Sequence, residues 1–303
     1  NIAMNPDWKS FEQFISSSCN RCDFIVEYLA ARGVKAVVLP IDGHEHIYVK
    51  FFKDAYNPAF KIKTVIAHYD RFEGSPGAND NSSSVFALMD WAVRLSALGT
   101  VHNVRLIFTD GEEISGGRNG GGSVSDQGAF GLASVFKRLG ITDDDVFVFD
   151  CVGRGTVPVI SRTVLPKKVN ADFRRRFMDL KDRTENLLRT ASGGNFVTLP
   201  VSYSDNAGFI ACGIPAVAIT FLPADEASRY MFDLVRVPVL ENYVTNQKIP
   251  EYFDRRQLDG MIPKTWKLFH TKGDNIESLT SESFVIMERI LNALSMMKTY
   301  VGI

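Results

Sequence analysis

Apolar and polar positions change their period several times along the chain. Residues 8–32 repeat apolar side chains at helical spacing, and 34–39 and 46–52 then read as two strands around a turn at Asp42 and Gly43. From there strands and helices alternate. Residues 62–67 predict a strand, 83–98 an amphipathic helix, 104–109 a strand, 130–139 a helix and 146–149 a strand. A charged helix over 170–189, an apolar strand over 216–220 and a final helix over 282–300 complete the pattern. Such alternation predicts an α/β fold, with a mixed, mostly parallel central sheet covered by helices on both faces.

The pattern is lost between 222 and 261. That stretch mixes aromatic and charged residues with three prolines, and at about forty residues it exceeds an ordinary loop. It is expected to be functional, as an inserted helical lid over about 222–262, with Tyr230, Phe232, Tyr243, Tyr252 and Phe253 lining an apolar wall. No linker divides the chain. A length of 303 residues, 45% hydrophobic, is read as one domain spanning 1–303.

Charge narrows the partners. The 34 basic and 35 acidic residues are mixed along the chain, which leaves no footprint for nucleic acid or an anionic membrane. No apolar run reaches the ~20 residues of a membrane-spanning helix. Residues 1–7 lack the plan of a signal peptide, and a first residue other than Met is consistent with a trimmed leader. The expected partner is a small substrate. Four cysteines are no disulfide framework; Cys19 and Cys22 form a lone C-x-x-C inside a helical pattern, and Cys151 and Cys212 sit among apolar residues.

In an open α/β sheet, ligands bind beyond the carboxyl ends of the strands. Here the first strand of the alternating region runs into His68 and Asp70, the next into Asp110, Glu112 and Glu113, and the third into Asp150. One strand-terminal Asp is usually a cap. Several carboxylates gathered at one edge repel one another, and a divalent cation is the simplest remedy. A neutral imidazole among them suits zinc better than magnesium or calcium. The spacing of His68 and Asp70 lets the carboxylate accept the second imidazole N–H. His44, His46 and His102 are judged to lie at the wrong end of their strands, whereas His270 occupies a loop ahead of the last helix with Asp274 nearby. Of two adjacent glutamates after a buried strand, one can bind metal while the other takes a proton from water.

These residues carry a resemblance. His68-Tyr69-Asp70, Gly77-Ala78-Asn79-Asp80-Asn81, Asp110-Gly111-Glu112-Glu113, Asp150 with Gly153, Ser204-Asp205, and His270-Thr271 with Asp274 occur in an order similar to that of metallopeptidase family 28. That family holds the co-catalytic zinc aminopeptidases, with the glutaminyl cyclases as a related branch. The resemblance implies the zinc aminopeptidase-like, phosphorylase/hydrolase-type architecture and two zinc ions per chain. It implies His68 and Asp150 on one ion, Glu113 and His270 on the other, and Asp80 between them. Glu112 is then the general base, Asp70 stands behind His68, and a cis peptide follows the bridging Asp.

The chain departs from the family at Ser82-Ser83-Ser84, where a Ser-Gly is usual after the bridging Asp, and at Asn206, where many members carry His. The Gly-rich run 116–122 with Arg118 lacks the Gly-Lys-Ser/Thr of a phosphate loop and is expected to be a rim of the site. Three functions follow. The first is hydrolysis of peptides or aminoacyl substrates at a free amino terminus, through a metal-activated water. The second is cyclisation of amino-terminal glutamine with a single zinc, against which stands Phe269 where cyclases place Trp. The third, a binding protein on an inactive peptidase fold, expects lost ligands, and none is lost in the sequence.

Overall fold

The computed structural model describes residues 6–113, 123–165 and 168–302. The run 8–32 folds as two helices instead of one, α1 (Trp8–Ile15) and α2 (Arg21–Ala30). The break has a local cause. Asn20 is an N-cap whose side chain accepts from the Asp23 N–H, so a new helix starts where one continuous helix was expected. Strands β1 (Lys35–Ile41) and β2 (His44–Lys50) form a hairpin, and both turn residues, Asp42 and Gly43, have positive φ, as a two-residue hairpin turn requires.

The alternating region follows the predicted order: β3 (Lys63–His68), α3 (Ser83–Leu98), β4 (Val104–Thr109), α4 (Gly128–Arg138) and β5 (Asp145–Phe149). After β6 (Val157–Ser161) come α5 (Ala171–Ala191), β7 (Val197–Leu199), α6 (Asn206–Ala211), β8 (Ala216–Leu222) and, near the end of the chain, α11 (Ser281–Met296). The sequence pattern missed β6, β7 and α6. β7 has three residues and α6 six, too few to show a period, and β6 carries Pro158.

The eight strands form one sheet in the order β1-β2-β4-β3-β5-β8-β6-β7. Its centre, β4-β3-β5-β8, is parallel, and antiparallel pairings join β1 to β2, β2 to β4 and β6 to β8. Alternating residues of β3 face opposite layers. Val65 and Ala67 pack with α1, α2, α3, α5 and α11, whereas Ile66 packs with α4 and α6. The sheet is therefore covered on both sides, as the continuous apolar strands demand.

The segment without a pattern folds as α7 (Ala224–Arg236), α8 (Val239–Val244), α9 (Arg255–Met261) and α10 (Lys264–Leu268). These helices build a third apolar cluster on β6, β7 and the end of β8, from Val157, Val159, Leu199, Leu222, Tyr230, Leu240 and Leu258. Of the aromatic residues expected in a wall, Tyr230 is turned into this cluster and its hydroxyl donates to Pro200 O, while Phe232 and Tyr252 are exposed. Among the described residues no helix is long and apolar enough to cross a membrane. All four cysteines are free. The expected rim at 116–122 lies outside the described residues.

Candidate metal centre

The carboxyl edge of the parallel strands gathers the residues that the sequence singled out. His68 ends β3, Glu112 and Glu113 follow β4 after a turn at Asp110-Gly111, and Asp150 follows β5. Asp80 lies between β3 and α3, in a tight turn opened by Gly77 at φ 62°. A Cβ on Gly77 would meet Asp80 O at 2.5 Å, so only glycine permits this turn. The Asp80–Asn81 peptide bond is cis. His270, also at positive φ, comes two residues after the end of α10, so the inserted helices deliver it to the edge.

Two donor clusters result, and they share one residue. His68, Asp80 and Asp150 form the first; Asp80, Glu113 and His270 form the second. His68 Nε2 lies 3.3 Å from Asp80 Oδ1 and 3.5 Å from Asp150 Oδ1. His270 Nε2 lies 3.6 Å from Asp80 Oδ2 and 2.9 Å from Glu113 Oε2. The two oxygens of Asp80 thus face two different histidines. Ligand atoms around a tetrahedral zinc, at bonds of about 2.0–2.2 Å, stand about 3.3–3.6 Å apart, which three of the four separations match. Both nitrogens of His68 and both carboxylate oxygens of Glu113 are buried without a properly directed hydrogen bond. Buried polar atoms of this kind need a partner, and a cation held by imidazole and carboxylate fits zinc.

Electrostatics points the same way. Burial drives Glu112 well above the usual carboxylate range, helped by the charges of Asp150, Glu113 and Asp205 and opposed by His68. Burial and Asp80 push Glu113 up to about 7. For His68, burial acts to lower its pKa, but Asp150, Asp70 and Asp80 outweigh it and lift the imidazole well above its ordinary value. Asp70 stands behind His68, with Oδ1 3.4 Å from Nδ1, and its Oδ2 accepts from the Glu113 N–H. One carboxylate thereby touches both halves of the site.

Residues that the sequence reading left without a role hold the loops together. Asn81 donates to Phe149 O and accepts from the Cys151 N–H, which fastens the Asp80 turn to the strand end that bears Asp150. Asn79 accepts from the Gly153 N–H. Asp274, buried and pushed up to about 6 chiefly by burial, accepts from the N–H groups of Asn79 and Asp80. The signals for these roles were the clustering of Asn around Asp80 and the place of Asp274 beside His270. Asp205 receives a hydrogen bond from Thr109, and burial drives it up to about 7.

His44 and His46 correct an argument made from chain direction. Because β2 runs antiparallel to β4, its start lies at the same edge as Asp110. The His46 Nδ1 accepts from the Asp110 N–H, and His44 Nδ1 lies 3.8 Å from Asp110 Oδ2. Neither joins a donor cluster among the described residues. His102, at the opposite edge, accepts from the Val104 N–H.

No curated protein matches the sequence. Among solved structures the fold is similar to the LapA aminopeptidase of Legionella pneumophila, with TM-score 0.61 and 14% identity over 95% of this chain and 69% of that one. It is similar to a Zn-dependent exopeptidase from Parabacteroides distasonis, with TM-score 0.63 and 15% identity over 97% of this chain and 100% of that one. It is also similar to the glutaminyl cyclase of Porphyromonas gingivalis, with TM-score 0.57 and 17% identity over 95% and 94%. Identities this low show a shared fold alone. The sequence profile of peptidase family M28, however, matches residues 56–295, and by that match over most of its length the chain belongs to peptidase family M28.

Proposed function

We propose that this protein is a zinc-dependent aminopeptidase with two ions per chain, removing residues from the free amino terminus of peptides or aminoacyl substrates. The observation that carries the reading is Asp80, whose two oxygens face His68 and His270 in separate donor clusters. His68, Asp80 and Asp150 would hold one ion, and Asp80, Glu113 and His270 the other. Zinc bound there supplies Lewis-acid polarisation of the scissile carbonyl and a water acidified toward neutral pH. Glu112, adjacent to Glu113 and buried among carboxylates, would serve as the general base toward the attacking water and as the acid toward the leaving amine. Asp70 fixes the orientation of His68 and, through the Glu113 N–H, the start of the turn bearing both glutamates.

One observation favours a second reading. Against the effect of burial, Asp150, Asp70 and Asp80 raise His68 well above its ordinary range, which favours a proton there over a cation, and the second cluster alone could bind a single zinc. That arrangement suits a glutaminyl cyclase. The deciding experiment measures zinc per chain by elemental analysis and activity on a panel of aminoacyl amides beside a peptide with amino-terminal glutamine, with and without a chelator. Two zinc equivalents and chelator-sensitive release of residues support the aminopeptidase. One equivalent, with ammonia release and ring closure, overturns it.

The same reading takes α7 to α10 as the wall that ranks substrate side chains; its support is that α10 runs into Phe269 and His270. Replacing exposed Phe232 and Tyr252 by Ser should alter KM among aminoacyl substrates and leave zinc content unchanged. Equal KM values across the panel would refute it.

A further inference from the structure

Arg21 opens α2, in the amino-terminal part of the chain that precedes the residues matched to the peptidase family. Its position is unfavourable on two counts. The side chain is buried, at 6% exposure, and a cation at a helix N-terminus opposes the helix dipole. Desolvation lowers its pKa to about 10, still well above neutral pH. The guanidinium stacks over Phe14 at 4.6 Å, and its hydrogen bonds run to two stretches of chain. Nη1 donates to Tyr69 O at 2.9 Å and to Asp70 O at 3.4 Å. Nη2 donates to Pro76 O at 2.9 Å and to Ser82 Oγ at 3.1 Å.

The first pair of oxygens belongs to the two residues that follow His68, and the second pair brackets the turn that presents Asp80. Ser82 extends the link by donating to Gly77 O, and a Cβ at Gly77 would stand 3.4 Å from Nη2. One planar fork with donors on two edges thus spans both loops, a geometry that Lys cannot reproduce. Across these two loops His68 Nε2 and Asp80 Oδ1 lie 3.3 Å apart. Its charge also opposes the repulsion between Asp70 and Asp80.

We infer that Arg21 is a positioning residue of the metal centre, a buried clamp from outside the matched family region that sets the spacing of His68 and Asp80. The inference rests on the zinc reading above. It is tested with Arg21→Met, Arg21→Lys and, as a control in the turn just after the same helix, Arg32→Met, whose guanidinium stacks on Tyr28. The readouts are zinc affinity by competition with a chromophoric chelator, the visible spectrum of the Co²⁺-substituted protein, and amide hydrogen exchange of the metal-free protein. Arg21→Met is expected to weaken zinc binding by about 10–100-fold, the range for partners that orient metal ligands. It should also shift the cobalt spectrum and speed exchange at the Asn79 and Asp80 amides while that of β3 stays protected. Arg21→Lys, which keeps the charge but not the fork, should show the same changes in weaker form, and Arg32→Met none.

Wild-type affinity and spectrum in both Arg21 variants overturn the inference, as does an equal loss in Arg32→Met, which would mark general destabilisation of α2. A wild-type protein that takes up no zinc overturns the zinc reading itself and the role of Arg21 with it. A zinc-binding wild type beside unaltered variants overturns the role of Arg21 alone.

Discussion

Asn81→Ala tests whether the two loops that bear Asp80 and Asp150 are held by side chains or merely lie together. The amide of Asn81 donates to Phe149 O at 3.0 Å and accepts from the Cys151 N–H at 2.9 Å, and the residue is 0% exposed. Alanine removes both bonds and leaves a buried carbonyl and a buried N–H without partners. Each orphaned group costs about 1–3 kcal/mol, so the variant should lose about 2–6 kcal/mol. A domain of ordinary stability, about 5–15 kcal/mol, would remain folded at the smaller end of that range. Urea unfolding of the metal-free protein measures the loss without adding the linkage of zinc to folding. The same variant should bind zinc about 10–100-fold more weakly, because the loops bearing Asp80 and Asp150 are no longer tied to each other. A loss below about 1 kcal/mol in Asn81→Ala, with zinc affinity unchanged, would refute the clamp.

Glu112→Gln should keep its zinc and lose activity by about 10²–10⁴-fold, since the amide retains shape without basicity; loss of metal instead would mean that Glu112 and Glu113 have exchanged roles. His68→Ala should lose one zinc equivalent by elemental analysis together with most activity, and a fully active single-zinc variant would favour the cyclase. Zinc binding should release protons, more at pH 6 than at pH 8. The sign follows from Glu113, which at about 7 is largely protonated at pH 6 and ionised at pH 8, so zinc must displace its proton only at the lower pH. Calorimetry in buffers of different ionisation enthalpy measures the release, and equal release at both pH values would contradict the raised pKa. Gly128→Ala would place a Cβ 1.9 Å from Asp110 O, so it should cost about 1–3 kcal/mol in urea unfolding; an unchanged midpoint would show that the turn before Glu112 yields freely.

The alternating apolar segments and the strand-end chemistry were legible in the chain because both are local. Continuous apolar runs such as 62–67 and 146–149 require burial on two faces, and the strands that carry them end in His68, Glu112, Glu113 and Asp150. Which side chains meet is not local. The sequence read residues 8–32 as one helix, and only the N-cap at Asn20 and the turn before it place Arg21 beneath two loops some fifty and sixty residues away. Chain direction suggested that His46 lay far from the site, and the antiparallel pairing of β2 with β4 brought it beside Asp110. Hydrophobic period encodes which faces are buried, whereas strand order, pairing sense and the packing of α10 on α7 decide whether Asp80 can face His68 and His270 at once.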